Sequence, residues 1–210
     1  MIDPVRAGMV LELLLARQAG VISRKQAIHA GLGAAVVDRL VRTRRWRPLH
    51  PRVYSVSGYE PGDEARVWAA VLWAGDGAVL SGAGAAWWHG LLPEAPRTLG
   101  LTAPARRRAR PGVVVWSRQL DAADRAEHRG VPVTALGLTV LEAAAELGGP
   151  AGELLLHRTL REIGWAEVLA AYRRNPTLAG KALLSAAAGR RRRDLHHLEA
   201  RIGPPTGVRR

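Results

Sequence analysis

The chain has 210 residues, 48% hydrophobic and 23% charged, which is typical of a globular protein with a buried core and excludes a disordered polypeptide. It has no cysteine, which excludes disulfides, thiolate nucleophiles and cysteine metal sites. The net charge of +13 lies at the ends: residues 1–58 carry ten basic and three acidic groups, residues 59–150 nine and ten, and residues 151–210 twelve and five, which favours a polyanionic partner.

Three short helices are predicted first. Apolar residues at helical spacing predict an amphipathic helix over residues 10–18. Ser23, with Gln26 three positions later, is typical of a capping box and predicts a second helix over residues 24–30. A third helix is predicted over residues 34–44, and its apolar face consists of Val36, Val37, Leu40 and Val41.

Two short strands are predicted after the third helix, at residues 46–49 and 53–56, around a turn that contains Pro51. Three short helices followed by a hairpin is the element order of a winged helix-turn-helix. In that design the third helix enters the major groove, and the hairpin contacts phosphates or the adjacent minor groove. We therefore expect residues 1–58 to form a DNA-binding domain.

Nine residues of this domain are candidate DNA contacts. Arg39, Arg42 and Arg45 recur every three residues, so we expect them on one face of the third helix, holding phosphate. Bidentate readout of guanine by at least one of them is the sharper alternative. Ser23, Arg24 and Lys25 begin the second predicted helix, and the free N–H groups of a helix N-terminus can bind phosphate. Ser23 is predicted to be the helix cap first and a phosphate contact second. The full candidate set is Ser23, Arg24, Lys25, Arg39, Arg42, Arg44, Arg45, Arg47 and Arg52.

Two other side chains of the domain have competing interpretations. Trp46 alternates with Arg47 along a strand, so it is predicted to face the core, and base stacking is the alternative. Asp38 is predicted to be a helix-surface charge. The alternatives are that it orients an arginine or accepts a hydrogen bond from cytosine.

The pattern of helices and strands after residue 58 predicts a mixed α/β domain over residues 63–188. With the N-terminal domain, this makes the whole chain α+β. Ser81 is predicted to cap a helix that carries Trp87 and Trp88, and the basic loop 104–112 separates two strands. The predicted helices are 63–74, 81–91, 139–147, 151–163, 166–174 and 178–188, and the strands are 98–103, 113–117 and 131–134. The basic tail 189–210 is expected to be poorly ordered.

Three stretches together resemble one family. "RQAGVISRKQAIHAGLGAAVVDRLVRTRRWRPLHPRVYSV" is similar to the N-terminal winged-helix domain of AbiEi-type antitoxins, which belong to abortive-infection, type IV toxin–antitoxin systems. "GAVLSGAGAAWWHGLL" resembles the helix that follows in those proteins. "GVVVWSR" with "RGVPVTALGLTVLEAAAEL" resembles the strand–strand–helix block of their second domain. The resemblance runs from residue 10 to residue 147 and more loosely to residue 188.

The resemblance implies an N-terminal domain that represses its own promoter and a second domain that opposes a nucleotidyltransferase-like toxin. The chain departs from it at Arg52, which stands at the hairpin tip where similar proteins have glycine. Arginine adds a charge there and disfavours a turn that requires positive φ. Some relatives continue into an endonuclease-like domain, but the tail has no Asp followed by a Glu-x-Lys pair, so we do not infer a nuclease.

The resemblance therefore implies an antitoxin and autorepressor, and the residues themselves predict no enzyme activity, catalytic residues, metal or cofactor. His196 and His197 are adjacent rather than at the i, i+4 spacing of helical metal ligands. Expected partners are double-stranded DNA of its own promoter, the toxin and further copies of the chain on DNA. No membrane contact is expected, because the longest uncharged stretch, residues 77–93, is too short and polar to span a bilayer.

We expect a cytoplasmic location, since cysteine is absent and Glu12 and Arg17 interrupt the first apolar run. A stand-alone winged-helix regulator, or a nuclease-fusion relative that lacks its catalytic domain, is the alternative function. The sequence leaves open the operator, direct contact with the toxin, the oligomeric state, and whether loop 104–112 and tail residues 189–193 touch nucleic acid.

Overall fold

The structure is a computed structural model that describes residues 4–106, 108 and 110–176. The predicted helix 178–188 and the basic tail 189–210 lie outside these residues. Within them the chain is α+β, as expected, with eight α-helices, a three-stranded sheet and a five-stranded sheet. The helices are α1 Pro4–Arg17, α2 Arg24–His29, α3 Ala34–Arg42, α4 Asp63–Ala74, α5 Gly82–Trp88, α6 Leu136–Leu147, α7 Gly149–Ile163 and α8 Trp165–Arg174.

The strands form two separate sheets. Strands β1 to β3 make the small sheet in the order β1–β3–β2, and β4 to β8 make the larger one in the order β6–β5–β4–β8–β7. The strands are β1 Val21–Ser23, β2 Trp46–His50, β3 Val53–Val56, β4 Val79–Ser81, β5 Leu99–Ala103, β6 Val113–Ser117, β7 Arg125–His128 and β8 Val131–Thr134. None of the described helices is long and apolar enough to cross a membrane.

The chain divides into two compact units. The first unit comprises the described residues up to Leu80 together with Leu101–Arg118 and Arg129–Pro132, and the second unit comprises the other described residues. The first unit holds α1 to α4 and the small sheet, and the second holds α5 to α8.

Helices α1, α2 and α3 cover one face of the small sheet. Ile22, Trp46 and Tyr54 project from its three strands into a cluster that also contains Leu15 of α1, Ala27 of α2 and Val37 of α3. The rings of Trp46 and Tyr54 lie 5.7 Å apart, and Trp46 is only 4% exposed. The prediction that Trp46 faces the core is confirmed.

Helix α4 covers the opposite face of the same sheet. Side chains alternate along a strand, so the residues between those of the first face point the other way. Cross-strand register places Arg47 with Ser55 and His50 with Val53 on this second face. The ring of His50 lies 5.3 Å from the ring of Trp73 on α4. Strand β2 is at the sheet edge, and its pairing shifts between Pro48 and His50.

The capping box predicted for α2 is present. The Ser23 hydroxyl accepts from the Gln26 N–H at 3.1 Å, and the Gln26 side-chain oxygen accepts from the Ser23 N–H at 3.0 Å. The Gln18 side chain donates to the Val21 carbonyl and also bonds Gln26, which ties the end of α1 to the start of α2.

Helix α3 is shorter than predicted. It ends at Arg42, with Thr43 as the C-cap, and Arg44 adopts a φ of 58° in the left-handed region. A helix cannot continue through that conformation. The expectation that Arg45 continues the Arg39–Arg42 helix face is therefore wrong, because Arg45 lies in the segment between α3 and β2.

The second unit packs its helices closely. Leu138 and Leu141 of α6, Leu156 and Leu160 of α7 and Val168 of α8 share one core cluster. A Cβ atom added at Gly152 of α7 would lie 2.2 Å from the Ala144 carbonyl oxygen of α6. Only glycine permits this approach of the two helix backbones.

The start of α5 differs from the prediction that Ser81 caps it. Ser81 is at the N-cap position, but its side chain makes no capping hydrogen bond. The N–H groups of Gly82 and Ala83 donate instead to the carboxylates of Glu142 and Glu146 on α6, at 3.2 and 2.8 Å. Burial raises the pKa of Glu146, and the Ala83 N–H opposes that shift.

Candidate nucleic-acid interface

Helix α3 presents an apolar face to the core and charged side chains to solvent. Val37 is fully buried, whereas Asp38, Arg39 and Arg42 are exposed. This separation follows from the 3.6-residue period of the sequence. Arg39 and Arg42 therefore occupy the outward positions expected for them.

Arg24 at the start of α2 is joined to Asp38 on α3 by a two-contact ion pair. Its two terminal nitrogens donate to the two carboxylate oxygens, the second at 3.1 Å. Hydrogen bonds from Arg24 lower the pKa of Asp38, and hydrogen bonds to Asp38 and Tyr54 raise the pKa of Arg24. Asp38 thus orients an arginine, which was one of its alternatives, and that arginine belongs to α2.

The predicted phosphate site at the start of α2 is engaged within the protein. Ser23 is buried and its hydroxyl is the helix cap. The Arg24 N–H donates to the Arg52 carbonyl at 2.8 Å, and the Arg24 guanidinium is paired with Asp38. The exposed Lys25 ammonium lies 2.9 Å from a carboxylate oxygen of Asp76. Of these candidates only Lys25 is open to solvent, in a pair that water and salt weaken.

The structure of the β2–β3 hairpin shows which backbone conformation Arg52 adopts at the tip, where similar proteins have glycine. Arg52 has a φ of 63°, so it occupies the left-handed conformation for which glycine is usual. Its carbonyl accepts the Arg24 N–H, which holds the hairpin tip beside the start of α2. The turn keeps the geometry that favours glycine while placing a cation at the tip.

Six candidate arginines are exposed and form no ion pair with any described residue. Residues 24–52 contain eight basic side chains and a single acidic one, Asp38, which is already paired with Arg24. Two of the six lie on α3, two in the segment before β2, one on β2 and one at the hairpin tip. They are Arg39, Arg42, Arg44, Arg45, Arg47 and Arg52.

The six arginines do not share one flat face. Arg47 lies on the sheet face covered by α4, whereas α3 lies on the other face. The Arg24–Arg52 hydrogen bond and the Arg24–Asp38 pair nevertheless fix α2, α3 and the hairpin tip beside one another. The geometry is a positive surface that curves around the first unit.

Sequence reasoning missed a stack of side chains beside this surface. The Arg110 guanidinium carbon lies 5.9 Å from the centre of the Trp73 ring, which in turn neighbours His50 of β2. Burial lowers the pKa of His50, and the charge of Arg110 adds to that shift. No local pattern signals this contact, because the three residues come from distant segments.

No model of a known protein family matches the chain, and neither does any curated protein. Among solved structures, the chain is similar to the RV2827C protein from Mycobacterium tuberculosis, with 19% identity and a TM-score of 0.40. The similarity covers 90% of this chain and 83% of that chain. A likeness this distant carries no argument about function. In the part of the chain that the structure describes, no three histidine or carboxylate side chains gather as metal ligands.

Proposed function

We propose that the chain binds double-stranded DNA through residues 1–58, which act as a winged helix-turn-helix, and that it represses its own promoter as an antitoxin. The order of α1, α2, α3 and the β2–β3 hairpin, together with the small sheet, supports the winged-helix part. The antitoxin part rests on the sequence resemblance alone.

The observation that carries the DNA-binding proposal is the set of six exposed arginines that form no ion pair with any described residue. Arginines elsewhere in the described chain do pair, as Arg129 does with Glu64 and Arg174 with Asp124. The only acidic side chain on α3 and the hairpin is Asp38, and it is already paired with Arg24. A surface with unpaired guanidinium groups is matched by the evenly spaced phosphates of a duplex.

In this mechanism α3 enters the major groove and the hairpin lies along the backbone. Arg39 and Arg42 project from the outward face of α3, where a bidentate contact to guanine N7 and O6 would contribute about 1–3 kcal/mol of discrimination. Arg47 and Arg52 of the hairpin contact phosphates. If about six arginines reach phosphates, the logarithm of the binding constant falls against log salt with a slope of about −5. Two or more copies on repeated half-sites supply the remaining specificity.

The experiment is a fluorescence-anisotropy titration of the purified protein with the duplex upstream of its own gene. Arg39→Ala/Arg42→Ala is compared with Arg161→Ala/Arg173→Ala, which removes two exposed arginines of the second unit. We expect the first variant to lose affinity at least tenfold, because a lost contact of about 1.4 kcal/mol is tenfold. Equal affinity of both variants would refute the recognition-helix assignment.

The antitoxin part has its own test. Co-expression with a nucleotidyltransferase-like protein encoded beside this gene is expected to relieve growth inhibition. If the chain binds its promoter but never relieves inhibition, it is a stand-alone regulator. Magnesium-dependent cleavage of plasmid DNA by the purified chain would instead support the nuclease-related alternative and contradict the expectation that it is not an enzyme.

A further inference from the structure

The loop between β5 and β6, residues 104–112, is the second concentration of arginines in the first unit. It contains Arg106, Arg107, Arg108 and Arg110 and no acidic residue. Arg106, Arg108 and Arg110 are all exposed. A basic loop is most simply a solvated surface segment, so its position relative to the candidate interface decides whether it has a role.

The beginning of the loop packs against the turn after α4. A Cβ atom added at Gly77 would lie 3.3 Å from the ring of Pro104, so Pro104 packs against the turn after α4. The neighbouring Asp76 pairs with Lys25, the second residue of α2. The charge of Asp76, which precedes Gly77 in the chain, is therefore already offset by Lys25.

The end of the loop adjoins the hairpin. Arg110 and Val113 exchange two backbone hydrogen bonds, of 3.3 and 2.9 Å, which close a tight turn. The Arg110 guanidinium then lies over Trp73, whose ring contacts His50 of β2. His50 and Arg47 face the same side of that strand, as their cross-strand partners Val53 and Ser55 show.

We propose that Arg106, Arg108 and Arg110 of the β5–β6 loop form a second phosphate-binding arm of the same DNA interface, which contacts the duplex backbone beside the β2–β3 hairpin. This inference rests on the proposed DNA-binding function. One end of the loop packs against the turn after α4, where Asp76 pairs with Lys25 of α2, and the other end packs on Trp73, whose ring contacts His50 of β2. Arg106 and Arg108 lie between those ends and extend the positive surface that Arg47 and Arg52 begin.

The loop arm is expected to strengthen binding without reading sequence, because phosphate contacts are the same for every base pair. Arg106→Ala/Arg108→Ala should reduce the magnitude of the salt slope by about 2, at about 0.9 for each lost phosphate contact. The ratio of affinities for the upstream duplex and for a scrambled duplex of equal length should stay within about twofold of the wild-type ratio, since positioning contacts carry no base information.

The test is a salt titration of anisotropy with both duplexes, using wild type, the loop variant and Arg161→Ala/Arg173→Ala as the charge-matched control. Circular dichroism verifies that each variant is folded. A salt slope of the loop variant equal to that of the control overturns the loop proposal and leaves the proposed function standing. Absence of DNA binding by the wild type at low salt overturns both. A changed ratio between the two duplexes also overturns the loop proposal, because it would mean base readout.

Arg110→Ala is a separate variant, because Arg110 both carries charge and packs on Trp73. Arg110→Ala is expected to reduce the magnitude of the salt slope by at least as much as Arg106→Ala alone, because the end of the loop is no longer held beside β2. An Arg110→Ala slope identical to that of the wild type would contradict the assignment of Arg110 as the anchor of the arm.

Discussion

Arg24 and Asp38 bind each other through two hydrogen bonds and so connect the first residue of α2 to the middle of α3. The Arg24 backbone N–H also donates to the Arg52 carbonyl at the hairpin tip. One residue thus fixes the relative positions of α2, α3 and the hairpin. Its guanidinium is paired with Asp38 at the surface of the domain, and the exposed arginines around it supply the positive field.

Asp38→Asn tests whether Arg24 is kept from DNA by its pair with Asp38. The amide cannot balance the Arg24 charge, so Arg24 becomes available to the nearest phosphate, and the segment of residues 24–52 loses its only acidic side chain. We expect tighter DNA binding at low salt, with the magnitude of the salt slope larger by about 1. Stability should fall slightly, because the pair is exposed to solvent. Anisotropy and urea unfolding measure the two effects.

Arg24→Ala supplies the control for this prediction. If Arg24 is engaged with Asp38, its loss should weaken DNA binding less than the loss of Arg39 does. A larger loss of affinity for Arg24→Ala than for Arg39→Ala, with both variants folded, would mean that Arg24 itself holds DNA.

Relative to the wild type, Arg52→Gly is expected to raise the free energy of unfolding and to lower the affinity for DNA. Glycine accepts the positive φ of this position more readily than arginine, so we expect Arg52→Gly to be more stable than Arg52→Ala by about 1 kcal/mol. Both variants lose the same charge and should lose DNA affinity equally. Urea unfolding and anisotropy are compared for the pair. Equal stability of the two variants would show that the turn relaxes to a different conformation in solution.

We expect His89 to make the stability of the second unit decrease in acid. Burial lowers the pKa of His89, its hydrogen bond to the Thr134 carbonyl partly opposes this, and His128, with its ring 5.0 Å away, adds to the lowering. Since the folded-state pKa is depressed, the stability contribution is complete above the unfolded value of about 6.5 and is lost as the pH falls through the folded value. Unfolding free energy should therefore decrease between pH 7.5 and pH 5.5.

The matched variant for this prediction is His89→Gln, whose amide can still donate to the Thr134 carbonyl but does not titrate. Its stability should depend less steeply on pH than that of the wild type. His50, whose pKa burial also lowers, accounts for part of the dependence that remains. Identical pH dependence of His89→Gln and wild type in urea unfolding would show that another group is responsible.

Gly152→Ala tests the close packing of α6 and α7. The new methyl group would meet the Ala144 carbonyl oxygen at 2.2 Å, and backbone cannot move aside as a flexible side chain can. We expect a loss of about 1–3 kcal/mol, typical of overpacking. Gly8→Ala is the control, because Gly8 lies within α1 and no heavy atom comes within 4 Å of its added Cβ. That variant should gain about 0.5–1 kcal/mol. Thermal unfolding distinguishes the two outcomes.

Local interactions were predictable from the sequence, as the α2 capping box and strand β3 show. The end of α3 was not, because Arg44 adopts a left-handed conformation without the glycine or asparagine that usually announces one. Strand β1 was also missed. Its three residues are all buried, so they show no alternation of polar and apolar side chains.

The arrangement of the candidate site was predictable only in part. Spacing alone placed Arg39 and Arg42 outward on α3. The Arg24–Asp38 pair spans 14 positions and the Lys25–Asp76 pair spans 51, so neither follows from helical or strand periodicity. The position of Arg110 over Trp73 likewise requires the tertiary fold, since it brings the β5–β6 loop to α4.

Strand β2 leaves one backbone edge of the small sheet unpaired, but its proline and its irregular register make that edge a poor template for a further strand. Pro48 has no N–H to donate, and the shift between Pro48 and His50 breaks the regular spacing of donors and acceptors. The edge of β2 therefore disfavours a continuous sheet formed through β2 between two copies of the protein. If copies bind side by side on DNA, as proposed, cooperativity through this strand is not expected, and it would come from side-chain contacts or from the DNA.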